Sequence, residues 1–152
     1  RLCLETLISY RNELGSEFTG LDLGCGTGLL SIGLARLGAS SVVAVDFNSL
    51  ACEVTKQNAI YNNVQETVEV KQLDLRKELP DTEVDVVMAN LHHSLLADLF
   101  NSPSVWKAKL YILSGFMPNE EEHLLAALPD QPPAFLNRYS MDKWRVWVLG
   151  NV

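Results

Sequence analysis

The chain is short of cysteine, of basic residues and of long apolar runs, and each shortage removes a class of function. Its three cysteines, Cys3, Cys25 and Cys52, include no C-x-x-C pair and leave an odd count, which argues against a disulfide framework and a cysteine-built zinc site. A reducing, cytoplasmic setting is the reading. No apolar run approaches the ~20 residues that cross a bilayer, and no cationic segment followed by an apolar one opens the chain. No membrane association is expected. Lys and Arg number 12 against 19 Asp and Glu, a formal charge of −7 that disfavours nucleic acid as a partner and suits a basic protein or a small molecule. His92, His93 and His123 have none of the spacings of a zinc motif, so no metal is expected. Internal repeats, low-complexity tracts and linkers are missing as well.

What the chain does have is regular alternation of strand-like and helix-like segments. Its 152 residues, 47% hydrophobic and 20% charged, match one compact domain, expected to span 1–152. It begins at Arg1, without a methionine, inside what already reads as helix, so a longer parent chain is expected. Leu2, Leu4, Leu7, Ile8 and Leu14 carry a first helix, and Phe18 to Leu23 a first strand. A helix follows from about Thr27 to Leu37 and stops at Gly38, which suits the left-handed position after a helix. Ser41 to Asp46 is a β-branched run of the kind buried on both sheet faces, and Asn48 or Ser49 then caps a helix ending near Tyr61. Further strands are predicted at 68–73, 84–89 and 109–113, with helices through Leu95 and Leu99 and from about Asn119 to Leu128. Only Met141-Asp142-Lys143 separates the last two strands, 134–140 and 144–149, which forces an antiparallel hairpin. The predicted fold is α/β: a Rossmann-like, mostly parallel seven-stranded sheet with a C-terminal antiparallel hairpin and helices on both faces.

The most informative stretch is Asp22-Leu23-Gly24-Cys25-Gly26-Thr27-Gly28, which joins the first strand to a helix through glycines at every second position. The dinucleotide fingerprint instead places its third glycine one residue later, on the helical turn that meets a pyrophosphate. Asp22, just before the loop, would repel a diphosphate and attract a ligand with a cationic end. S-adenosylmethionine, with an ammonium and a sulfonium, answers that description. Strand ends elsewhere also carry polar residues: Asp46, Asp74 and Asn90. In an open α/β sheet the carboxyl ends of the strands line one crevice, so these positions should converge. Asp46, 22 residues after Gly24, is placed as an acid that binds a ribose diol. Phe47 offers a face for adenine, and Asp74 could accept from its amine while the Leu75 N–H donates to a ring nitrogen.

Plainer readings exist for single residues. A glycine-rich turn standing alone can be tight strand–helix packing; the acids ending the second and third strands argue against that here. Cys25, between glycines, reads as a small filler with nothing nearby to lower a thiol pKa. Asn90 could cap the helix that follows. His92 and His93 stand at the mouth of the crevice, where His92 could take a proton from an amine. Adjacent histidines point apart on a regular element, which favours surface or packing roles. Trp106, Trp144, Trp147, Phe135 and Tyr139 read as core and sheet-face aromatics rather than a cage for a methylated amine.

On these residues the chain resembles the class I S-adenosylmethionine-dependent methyltransferases, and among them the PrmA-type ribosomal-protein lysine methyltransferases. The resemblance covers nearly the whole chain. It is carried by Arg1-Leu2-Cys3-Leu4-Glu5, the glycine loop, Val45-Asp46, Val84-Asp85-Val86-Val87-Met88-Ala89-Asn90-Leu91, and Leu113-Ser114-Gly115-Phe116 followed by an acidic helix. It implies that Asp22, Gly24 and Gly26 hold the methionine end of the cofactor, Asp46 the ribose and Asp74 the adenine, with Cys25, Gly28, Phe47 and Leu75 completing the cofactor site. Asn90 would lie beside the sulfonium and orient an incoming amine. Family members carry Asn-Ile-Leu or similar where this chain has Asn90-Leu91-His92-His93, and a substrate-recruiting domain upstream of the position of Arg1.

The implied reaction is in-line displacement: a neutral amine of a basic protein, from a lysine or an N-terminus, attacks the methyl carbon while S-adenosylhomocysteine leaves. Alignment is the protein's main contribution, worth up to about 7–11 kcal/mol in well-oriented systems. A lysine must first lose its proton, which desolvation in the crevice favours and which water or His92 could accept. Three alternatives share some of these residues: a methyltransferase acting on RNA or a small molecule, a nicotinamide oxidoreductase, and a non-catalytic S-adenosylmethionine-binding module. The acidic balance and the lack of an Asn-Pro-Pro-Tyr-like segment after the fourth strand speak against nucleic acid, and the glycine spacing against a nicotinamide.

Overall fold

Strands buried on both faces set the architecture. In the computed structural model, which describes residues 1–150, the elements run α1 (Leu2–Tyr10), β1 (Phe18–Leu23), α2 (Leu29–Arg36), β2 (Ala39–Asp46), α3 (Ser49–Tyr61), β3 (Val68–Gln72), β4 (Val86–Asn90), α4 (His93–Phe100), β5 (Leu110–Phe116), α5 (Glu121–Ala127), β6 (Ala134–Met141) and β7 (Trp144–Gly150). They form one seven-stranded sheet in the order β3-β2-β1-β4-β5-β7-β6. The first five strands pair in parallel, and β7 runs antiparallel between β5 and β6. Val42, Ala44, Val86, Met88, Ile112 and Val148 pack under α1, α2 and α3 against Leu7, Leu30, Leu34 and Ala59. Their neighbours Val43, Val45, Val87, Ala89, Leu113 and Leu149 pack under α4 and α5 against Leu96, Leu99, Phe100 and Leu124. Strands apolar on both faces are what a helix-covered sheet requires. Trp147 anchors the second layer: fully buried, it meets Phe116 and Phe135 edge-on at 5.0 and 5.1 Å and donates its indole N–H to Glu121 Oε1 at 2.7 Å. Burying such a ring contributes on the order of 3 kcal/mol.

The fold is the one expected from the sequence, and the differences lie at element ends. Arg11–Leu14 leaves α1 as a 3-10 turn ended by Gly15, while the Arg11 guanidinium reaches the Leu37 and Gly15 carbonyls. Thr27 and Gly28 belong to the loop, so α2 begins at Leu29. Asn48, not Ser49, caps α3 by accepting from Leu50 N at 2.9 Å. β4 starts at Val86, just after Asp85, whose N donates to Thr19 O at 3.1 Å, whose Oδ2 accepts from Thr19 N and Oγ1 at 2.8 and 3.0 Å, and whose Oδ1 meets Lys109 Nζ at 2.8 Å. β5 continues past Leu113 through a bulge at Gly115, and α5 is shortened by a 3-10 turn at Pro118–Glu120. No helix among the described residues is long and apolar enough to cross a membrane.

After β3 the chain crosses back to place β4 on the far side of β1. The winding therefore reverses between β1 and β4, and their following loops diverge over a crevice at the carboxyl ends, where sheets of this kind bind ligands.

Candidate active site

The glycine loop is held from both sides. Gly24 N and Cys25 N each donate to Val45 O at 2.9 Å, and Gly26 N donates to Asp46 Oδ2 at 3.0 Å. From α3, Thr55 Oγ1 donates to Gly26 O at 3.1 Å and Asn58 Nδ2 to Thr27 O at 2.8 Å. Gly24 is the tightest point: at φ 75°, a Cβ there would lie 2.2 Å from Leu91 Cδ2. A Cβ on Gly26 would meet nothing within 4 Å, so the loop is open on that side.

Asp22 lies beneath the loop and is 1% exposed. Its Oδ2 accepts from Ser31 N at 2.9 Å and from Ser31 Oγ, on the first turns of α2, while its buried Oδ1 has no partner among the described residues. Burial pushes the carboxyl up to about 6, against the pull of Ser31 and with a smaller push from Asp46. A buried acceptor left unpaired costs about 1–3 kcal/mol, which a cationic or water donor would relieve.

Asp46 presents a carboxylate with both oxygens already oriented, Oδ2 by Gly26 N and Oδ1 by Asn48 N at 3.0 Å. With Gly24, Phe47, Asp74, Leu75 and Leu91 it lines a cavity of about 290 Å³. Phe47 is 63% exposed, and the Arg76 guanidinium stands 5.7 Å from its ring centroid. Asp74 differs from the free acceptor expected: it accepts from Arg76 Nε and Nη2 at 2.9 and 3.2 Å, and this holds its carboxyl below the usual carboxylate range. The Leu75 N–H has no hydrogen-bond partner among the described residues. Cys25 is buried and receives Thr55 Oγ1 at 3.4 Å; burial pushes its thiol to about 12, as befits a filler.

Asn90 ends β4 opposite Ser114 with its side chain exposed. It does not cap α4. His92 does, with Nδ1 turned to Ser94 Oγ at 2.9 Å. Arg1, Asn90, Leu91, His92, Asp142 and Trp144 border a second cavity of about 520 Å³. Leu91 thus forms the wall between the two cavities. Trp144 departs from the sheet-face reading: it is 44% exposed at this second cavity. A polar cleft of equal size, between Arg76–Glu83 and Lys107, lies off the strand ends and holds no candidate residue except Leu75.

Ser31, Thr55 and Asn58 were not singled out by sequence, although they brace the loop. Their signal is polarity at inward positions: Ser31 and Thr55 are fully buried in otherwise amphipathic helices, and Asn58 follows Thr55 on the same face.

A sheet reversed between β1 and β4, a G-x-G-x-G loop and an oriented acid ending β2 define the class: a Rossmann-like methyltransferase domain. Residues 1–149 match the family described as ribosomal protein L11 methyltransferase (PrmA), and the chain belongs to it. It is 32% identical over 148 residues to the ribosomal protein L11 methyltransferase of Alkaliphilus metalliredigens, covering 93% of this chain and 46% of that protein. The chain spans about half the length of the curated relatives it matches. Among solved structures, the ribosomal protein L11 methylase of Lactobacillus delbrueckii subsp. bulgaricus aligns with a TM-score of 0.83 at 22% identity, over 98% of this chain and 74% of that one. TrmK of M. capricolum, in complex with S-adenosyl-homocysteine, aligns with a TM-score of 0.73 at 13% identity, over 95% and 67%.

Proposed function

We propose that residues 1–152 form one domain that transfers a methyl group from S-adenosylmethionine to an amine nitrogen of a ribosomal protein, from a lysine or an N-terminus. The observation that carries this reading is the meeting of two cavities at Leu91, one bounded by the glycine loop and Asp46, the other by Asn90. The residues present fit the cofactor. Asp46 would take the ribose hydroxyls, Phe47 and the Leu75 N–H the adenine, and Gly24, Gly26 and the unpaired Asp22 Oδ1 the methionine end. Cys25 and Gly28 shape that loop rather than touch the ligand. Asp74 reaches adenine only in competition with Arg76.

When bound, S-adenosylmethionine supplies a methyl group activated by a sulfonium. Asn90 orients the acceptor amine at the edge of the larger cavity. Leu2, Leu91 and Trp144 surround the amine's stem with apolar surface, which lowers its affinity for a proton. That proton goes to water or to His92 Nε2, because Ser94 engages Nδ1. The names of the relatives support a ribosomal acceptor, and the charge of −7 supports a basic one. A ribosomal substrate also fits a cytoplasmic setting.

The test is transfer of labelled methyl from S-adenosylmethionine into a desalted cell extract, divided by protease and nuclease sensitivity, with Asp46→Ala as control. Protease-sensitive label in a basic protein supports the reading and identifies the acceptor. Nuclease-sensitive label would move the acceptor to RNA. No transfer while S-adenosylhomocysteine still binds would leave a non-catalytic module.

A further inference from the structure

We propose that His92, His93 and Glu120 form a binding site for a divalent transition-metal ion of the zinc type, set beside the outer wall of the larger cavity. One ligand atom from each residue lies within 4.8 Å of the other two. On a regular helix or strand adjacent histidines diverge; here the chain changes conformation between them. His92 is the extended cap (φ −57°, ψ 140°) and His93 the first residue of α4, so their rings meet at 4.2 Å. The 3-10 turn before α5 brings Glu120 to the same point.

Each ligand is held in a way that leaves a donor free. Glu120 Oε2 accepts from Met117 N at 2.7 Å, which fixes the carboxylate and turns Oε1 toward His93 Nδ1 at 2.8 Å. That approach lacks the alignment of an N–H···O bond, and His93 Nδ1, itself out of solvent, has no hydrogen-bond partner among the described residues. Ser94 Oγ engages His92 Nδ1 and leaves Nε2 without a partner among the described residues, so a bound ion would take the nitrogen that otherwise accepts the amine's proton and leave water as the acceptor. A hydrogen bond on the far nitrogen is the usual means of orienting a metal-binding imidazole.

Two imidazoles and one carboxylate are the donor set of zinc sites that keep a position open for water, and they disfavour magnesium and calcium, which take oxygen ligands. Tetrahedral zinc needs its ligand atoms about 3.3 Å apart. The ligand atoms here lie within 4.8 Å of one another, at a partly exposed surface where side chains can rotate to adjust them. His123, edge-on to His93 at 5.8 Å between ring centroids, is the next imidazole in line. A bound ion would tie the start of α4 to the start of α5.

The protein, stripped by chelator and dialysed, is titrated with zinc chloride against a chromophoric chelator, and in parallel with cobalt(II), whose visible absorption reports tetrahedral nitrogen and oxygen ligation. The expected result is one equivalent taken up with micromolar affinity or better, cobalt bands that zinc abolishes, and affinity at least ~tenfold weaker in both His93→Ala and Glu120→Gln. Glu120→Gln keeps an oxygen for Met117 N, so it tests the ligand without removing the cap. Absence of saturable uptake by the unsubstituted protein, or uptake unchanged in either variant, would overturn the proposal and leave an ordinary His–Glu ion pair.

Discussion

A Cβ on Gly115 would stand 2.2 Å from the carbonyl oxygen of Leu91 and 2.7 Å from its nitrogen, so the bulge of β5 and the β4–α4 junction touch backbone to backbone. Neither partner is a flexible side-chain tip that can swing aside. Gly115→Ala is therefore expected to cost about 2–4 kcal/mol, from overpacking and from a φ of 99°. Urea denaturation checks the stability. Because Leu91 borders both cavities, S-adenosylhomocysteine affinity and methyl transfer should fall together; a stable variant with normal affinity would refute the packing account.

Asp46 and Asn90 should separate binding from transfer. Losing a carboxylate that accepts two hydroxyls costs about 3 kcal/mol, so Asp46→Ala is expected to weaken S-adenosylhomocysteine about 100-fold by calorimetry. Asn90→Ala should leave that affinity within a few-fold and slow single-turnover transfer instead. Equal loss of affinity in both variants would sink the division of roles.

Asp22 gives the folded protein a pH dependence of unusual sign for a carboxylate. Burial raises its pKa from an ordinary value near 3.8 to about 6, so the folded chain binds the proton more readily than the unfolded one. The resulting stability is complete below about 3.8 and is lost as pH rises through about 6, a difference on the order of 2–3 kcal/mol. Asp22→Asn lacks this proton. Its melting temperature should gain on that of the unsubstituted protein across the window and run parallel above it, while S-adenosylmethionine binds less tightly. A constant gap between the two melting curves would count against the buried, unpaired oxygen.

Asp85 is expected to matter for stability alone. Asp85→Ala leaves Thr19 N without its acceptor and Lys109 without its partner, a loss of about 1–3 kcal/mol. Lys109 and Thr19 hold the Asp85 carboxyl below its ordinary pKa, so the stabilisation is present near neutrality and fades as pH falls through the carboxylate range. Urea midpoints at neutral and acid pH should show the deficit shrinking, with cofactor affinity unchanged throughout.

The strands were legible because burial on both faces writes itself as apolar runs, and the antiparallel hairpin because Met141-Asp142-Lys143 leaves no room for a crossover. The gathering of Asp22, Asp46 and Asn90 at one end of the sheet was legible because carboxyl ends of parallel strands converge whatever the loops do. What pattern could not convey were particular side-chain contacts, one local, Arg76 claiming Asp74 two residues before it, and two distant, Thr55 and Asn58 of α3 bracing the glycine loop. The rings of His92 and His93 meet rather than diverge for a local reason. Periodicity assumes one conformation across neighbours, and His92 and His93 sit on either side of a change in conformation.

The hairpin enters the sheet by its second strand, since β7 and not β6 pairs with β5. On a translating ribosome β6 therefore emerges with no neighbour to join, and β5 keeps an open edge of the kind that invites wrong pairing until residues 144–150 follow. The parallel strands that carry Asp22, Asp46 and Asn90 have all been made by then. Asp142 and Trp144, which border the larger cavity, arrive with the hairpin, so on the proposed reading a growing chain acquires its cofactor half before it has anywhere to receive a substrate.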